Sequence, residues 1–114
     1  MDTRGKMIGA TEAARLAAAG ATVVSGYFDP LLASHARRLQ ELKNGAKLIV
    51  VIENPPRPIL PARARAELVA SLRAVDYVVE NRGGVRVDVR LEEEDRRRFE
   101  ELIAQVHARQ RGAS

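Results

Sequence analysis

The residue pattern predicts a single α/β domain over 1–114, with a parallel sheet held between helices. Three observations carry this. Short apolar runs at 21–25, 46–53 and 75–80 each suit a buried strand, and AKLIVVIE is continuous, as expected of a strand covered on both faces. Segments with helical spacing separate the runs. Strand–helix–strand alternation then calls for right-handed crossovers and parallel neighbours.

The first helix is expected over 11–19, TEAARLAAA, with Thr11 as cap and Gly20 ending it in the left-handed conformation. The strand ATVVS follows at 21–25, then a loop. A second helix over 34–43 places Ala36, Leu39 and Leu42 on one face, and Asn44-Gly45 stops it. After the strand at 46–53, the stretch Asn54-Pro55-Pro56-Arg57-Pro58 excludes helix and central strand, so it is a loop at the sheet's end. Pro61 opens a third helix whose buried stripe is expected at Ala64, Leu68 and Leu72. VDYVVE at 75–80 is the third strand. Asn81-Arg82-Gly83-Gly84 is too short for a helical crossover, so the alternating VRVDVR at 85–90 reads as an antiparallel edge strand beside it. A last helix over 92–110 carries the stripe Phe99, Leu102, Ile103 and Val106, with acids at its start and arginines at its end to suit the helix dipole. The architecture is Rossmann-like: a three-layer α/β/α domain with three parallel strands, an antiparallel edge strand and a C-terminal helix.

Composition narrows the function classes. The 114 residues are 46% hydrophobic and 30% charged, which fits one folded, soluble domain with a modest core. No apolar run approaches the roughly 20 residues that span a membrane, and MDTRGKMIGA lacks the apolar core of a secretory signal. The chain has no cysteine, which excludes disulfides and thiolate chemistry, and its two separated histidines argue against a zinc site. These features suit a cytoplasmic protein. The pI near 10.1 invites a nucleic-acid reading. Against it, net charge is only +4 and aromatic residues are 4%. Glu92–Arg96, Glu93–Arg97 and Glu94–Arg98 are also spaced to neutralise one another along a helix. His107, near the end of that helix, reads as a dipole-compensating surface residue.

The most informative segment is SGYFDPLLASH, residues 25–35, where a buried strand enters a helix and backbone N–H groups face a ligand phosphate. It resembles the signature of the cytidylyltransferase-like nucleotidyltransferases, G-x-F-D, a short turn, then H-x-G-H. Gly26, Phe28 and Asp29 match, and His35 matches the second histidine. Leu32 stands at the first histidine and Ser34 at the glycine. The resemblance runs from about Lys6 to Val79 and includes RPILPARARAELVASLRAVDYVV. It looks most like the heptose-phosphate adenylyltransferase and glycerol-phosphate cytidylyltransferase branch.

The resemblance implies transfer of CMP or AMP from CTP or ATP, with Mg2+, to a sugar phosphate or similar acceptor, with pyrophosphate leaving. It implies His35 as the catalytic phosphate donor, with Gly26, Tyr27, Phe28, Asp29, Ser34, Arg57 and Arg65 around nucleotide and phosphate; no metal ligand is assigned. Each residue has a plainer reading. His35 is also a first-turn helix residue, Asp29 a turn cap, and Arg57 and Arg65 exposed arginines of a kind common here. Ser34 is expected to cap its helix and tie up the Ala36 and Arg37 N–H groups.

The inventory is incomplete. Leu32 donates nothing, and a lost oxyanion donor costs about 2.7–4 kcal/mol. The family's late Ser/Thr-rich phosphate motif is replaced by LEEEDRRR, whose acids would repel a triphosphate if they faced the pocket. Three functions follow: a degenerate pseudoenzyme with weak or lost nucleotide binding that acts through a protein partner or regulation; an active nucleotidyltransferase with a reduced site; or a basic nucleic-acid module, disfavoured by the charge pattern. A homodimer is expected, since the family pairs and an edge strand has surface to bury. No membrane partner is expected.

Overall fold

The computed structural model describes residues 4–112. After a 3-10 turn at Arg4–Lys6 come α1 (Ala10–Ala18), β1 (Thr22–Gly26), α2 (Ala33–Leu42), β2 (Leu48–Ile52), α3 (Ala62–Ala70), β3 (Tyr77–Val79), β4 (Val89–Arg90) and α4 (Leu91–Gly112). RGAS at 111–114 reads from sequence as a frayed tail; its first two residues instead continue α4, and 113–114 lie outside the described residues. The sheet order is β3-β2-β1-β4, with every pair parallel. No helix among the described residues is long and apolar enough to cross a membrane.

Alternation along the strands divides the core in two. Val24, Val50 and Val78 face α2, α3 and the start of α4, where Leu39, Val69 and Leu91 close over them. Val23, Ile49 and Val51 face α1, where Ala13 and Ala17 allow close approach. β2 is wholly apolar and wholly buried, as its continuous pattern requires. Asp76 fixes the β2–β3 register: its carboxylate accepts the Leu48 N–H at 2.8 Å and pairs with Lys43. Burial raises this carboxyl, but Lys43, the Leu48 N–H and Lys47 outweigh that and hold it below the usual aspartate range.

The edge strand departs from expectation. It is two residues long, parallel, and lies beside β1 at the opposite edge, not antiparallel beside β3. The chain crosses between them without a helix because side chains anchor the crossing. Val85 and Val87 pack on the α1 face, and the Arg86 guanidinium donates to Ala17 O at 2.7 Å and Ala21 O at 3.1 Å. Asp88 then locks the entry to β4, donating its N–H to Val23 O at 2.8 Å and accepting the Val23 N–H at 2.8 Å. The alternation in VRVDVR therefore records a crossing pinned to α1, not a long strand.

Three helix details also differ. α1 starts from Gly9, with Thr11 inside the helix and exposed. α3 buries Arg65, Ala66, Val69 and Ala70, which turns Leu68 outward and leaves Leu72 only partly buried. In α4 the stripe Phe99, Leu102, Ile103 and Val106 is exposed, because the helix runs past the body of the domain. The molecule is 57 Å long and 28 Å across its other two axes.

Candidate functional site

The signature loop is built around Phe28. Its side chain is buried and its φ is +50°, a left-handed conformation that a bulky residue adopts only under strong constraint. The constraint is packing. The ring lies on Gly26, where a Cβ would come within 2.6 Å of it, and meets the His35 ring edge-on with centroids 5.5 Å apart. Gly26 is thus the floor on which the ring rests.

Asp29 does not cap its own turn. Its carboxylate accepts the Ile59 N–H at 2.6 Å and the Leu60 N–H at 2.8 Å, clamping the proline-rich loop to the signature loop. The Ile59 hydrogen bond holds the carboxyl below the usual aspartate range; burial opposes this, while the Leu60 N–H and the Arg65 charge reinforce it.

Arg65 is placed differently from the sequence reading. It is 1% exposed and donates to Tyr27 O, Glu53 O, Leu60 O and Asn54 Oδ1 at 2.7–3.0 Å. Its guanidinium is committed to main-chain carbonyls that no strand or helix satisfies, so it braces the loops and does not face a ligand.

His35 occupies the third position of α2. Its Nδ1 accepts the Leu32 N–H at 3.0 Å, which assigns the proton to Nε2. Nε2–H then donates to Asp95 Oδ2 at 2.7 Å. The helix cap is Leu32, two residues before Ser34, and the Ala36 N–H is taken by Leu32 O at 3.1 Å. Ser34 therefore does not withhold that N–H through its hydroxyl. Leu32, where the signature has a histidine, is 51% exposed.

Three acids at the start of α4 reach across to neighbouring elements, while Glu93 is exposed. Glu92 accepts the hydroxyl of buried Ser25 at 2.8 Å, Glu94 takes Arg38 at 3.1 Å, and Asp95 takes His35. Glu92 and Glu94 thus bond across to β1 and α2 instead of serving the expected pairs along their own helix. The LEEED run looked like a solvated face because spacing within one helix says nothing of which neighbour it meets.

Between the signature loop, the 55–59 segment and α4 lies a cavity of about 870 Å³. It opens beyond the carboxyl ends of β1 and β2, where open α/β sheets bind ligands. Tyr27, Phe28, Asp29, Ser34, His35 and Arg57 all line it; Gly26 lies behind Phe28, and Arg65 is outside. Asp95, Arg98 and Phe99 of α4 complete the wall and were missed from sequence. Arg57 and Arg98 offer two guanidinium groups to an anion, while the His35 Nε2–H is already engaged by Asp95. Among the described residues no group of three His, Asp or Glu is placed to hold a metal ion.

No protein-family model matches the chain. It is similar to an FAD synthase of Methanosphaerula palustris, 38% identical over 64 residues, which cover 50% of this chain and 42% of that protein. The match thus spans less than half the length of this relative. With the signature and the parallel sheet, the similarity supports a nucleotidyltransferase-like domain with a Rossmann-like fold.

Proposed function

We propose that this domain is a degenerate nucleotidyltransferase-like module in which a carboxylate of its own, Asp95, stands where a nucleotide phosphate would bind. Nucleotide affinity is then weak or lost, and the domain acts through protein contacts. The observation that supports this reading is Asp95, whose carboxylate holds the His35 Nε2 proton at 2.7 Å. A phosphoryl oxygen approaching His35 must displace a negative group already bonded there. Leu32 supplies no donor in exchange. The test is calorimetric titration with magnesium-ATP and magnesium-CTP, comparing the native chain with Asp95→Asn. Tightening of at least about tenfold, or ~1.4 kcal/mol, is expected. Unchanged affinity would remove the blocking role of Asp95.

A second reading has its own support in the FAD synthase similarity and in the meeting of His35 and Arg57 at one cavity. In this reading the domain transfers CMP or AMP from CTP or ATP to a sugar phosphate or similar acceptor. An acceptor oxygen bonds to the α-phosphorus, the bond to the bridging oxygen breaks, and pyrophosphate leaves. His35 Nε2–H, once released from Asp95, and Arg57 would steady the phosphoryl oxygens. Magnesium would arrive on the nucleotide and neutralise its charge. Pyrophosphate release by the native chain in an acceptor screen would establish this reading over the first.

A further inference from the structure

The exposed face of α4 pairs an apolar stripe with unneutralised positive charge. Phe99 and Leu102 are 61% and 56% exposed, and Ile103 and Val106 continue the stripe at the spacing of a core-facing helix. Leu32 and Ile59, across the groove, are exposed too. The charge follows from where the acids go. Glu92, Glu94 and Asp95 are drawn to Ser25, Arg38 and His35. Arg96 and Arg98, four residues after Glu92 and Glu94, thereby lose the partners their spacing offered, and neither forms an ion pair among the described residues. At about 100° per residue, Arg96 and His107 flank the stripe on one side and Arg98 and Arg109 on the other, while Glu100 and Glu101 lie further round.

We infer that this face docks an acidic amphipathic helix of another protein, whose apolar residues cover Phe99, Leu102, Ile103 and Val106 and whose carboxylates meet Arg96, Arg98 and Arg109. The helical period of the stripe selects a helix as the covering element. The flanking charge selects the sign of the partner, because charges beside an apolar seam set partner choice between paired helices. A second copy would bring the same arginines to the seam and be disfavoured by like-charge repulsion. Nucleic acid would meet the arginines but leave the stripe uncovered, and an anionic lipid surface would press on the exposed Glu93, Glu100 and Glu101. The area also suits. With partly exposed side chains of about 150–200 Å² each, the four stripe residues with Leu32 and Ile59 present roughly 600 Å². An equal area on the partner gives about 1,200 Å², the low end of specific interfaces and fit for a reversible contact. The sheet edges offer no rival, since β3 and β4 are only three and two residues long. The inference rests on the protein-contact part of the proposed function and is independent of nucleotide affinity.

The experiment titrates the full chain against a dye-labelled helical peptide of about three heptads, with leucine at the seam positions and glutamate beside them, read by fluorescence anisotropy. A matched peptide with lysine in place of glutamate is the control. The glutamate peptide should bind with a Kd of about 1–50 µM at low salt, weakening as salt rises, and the lysine peptide at least about tenfold more weakly. Leu102→Glu, at an exposed position, should abolish binding while circular dichroism stays native. Arg96→Glu with Arg98→Glu should reverse the preference toward the lysine peptide. No binding of the glutamate peptide up to about 500 µM, equal binding of both peptides, or a preference unmoved by the charge reversal would overturn the inference. So would tighter binding to phosphatidylserine–phosphatidylcholine vesicles or to a single-stranded RNA, or a dimer in sedimentation that Leu102→Glu dissolves. The nucleotide reading fails separately, since unchanged ATP and CTP affinity in Asp95→Asn leaves the peptide result standing.

Discussion

Replacing Arg65 by alanine is expected to be the most damaging single change outside the apolar core. The guanidinium is 1% exposed and makes four hydrogen bonds, three of them to main-chain carbonyls of Tyr27, Glu53 and Leu60. Hydrogen bonds to charged groups contribute about 1.5–3 kcal/mol each, but they are not additive, and water entering the vacated space recovers part of the loss. A net cost of about 3–5 kcal/mol is expected, a large share of the total stability of a small domain. At a urea dependence of about 1.5–2 kcal/mol per molar, the unfolding midpoint should fall by roughly 2 M. Arg65→Lys should recover only a minor part, because one ammonium cannot reach carbonyls on three separate segments. Urea unfolding followed by circular dichroism reads both variants. A midpoint shift for Arg65→Ala below about 0.5 M would refute the bracing role.

Other expectations follow from the same geometry. Gly26→Ala sets a methyl 2.6 Å from the Phe28 ring and should cost about 1–3 kcal/mol in chemical denaturation; a neutral result would mean the ring moves freely. Asp76 has a lowered carboxyl pKa, so its contribution is complete above the unfolded value near 3.9 and is lost as pH falls through the folded value below it. Asp76→Asn should therefore flatten the acid limb of the stability profile below about pH 4, and an unchanged limb would contradict the assignment. Glu94→Ala removes a partly exposed pair with Arg38 at 3.1 Å and should change stability by less than about 1 kcal/mol, a contrast with Arg65 that thermal unfolding can measure.

Much of the fold was legible because burial on both faces leaves a plain trace. Leu48–Ile52 has no polar residue, and nothing but a covered strand suits it. The direction of β4 was not legible: VRVDVR alternates equally well as an edge strand or as a crossing pinned by Val85 and Arg86, and only the tertiary partner decides. The stripe at Phe99, Leu102, Ile103 and Val106 stated that α4 wants cover, but a helical period does not say which molecule supplies it. Within the site, the signature brought Phe28, Asp29 and His35 to one cavity. Arg65 was misplaced because arginine is usually exposed, and its burial here rests on loop carbonyls that no residue pattern advertises. Asp95 was missed for the opposite reason, since an acid among acids and arginines looks solvated until a histidine sixty positions away is set beside it.

Asp95 occupies the His35 donor that a nucleotide phosphate would need. The most direct measurement is calorimetric titration of magnesium-ATP and magnesium-CTP into the native chain and into Asp95→Asn. Weak or no binding by the native chain is expected, with a gain of at least about tenfold on removing the charge. Micromolar binding by the native chain, unimproved by Asp95→Asn, would contradict it.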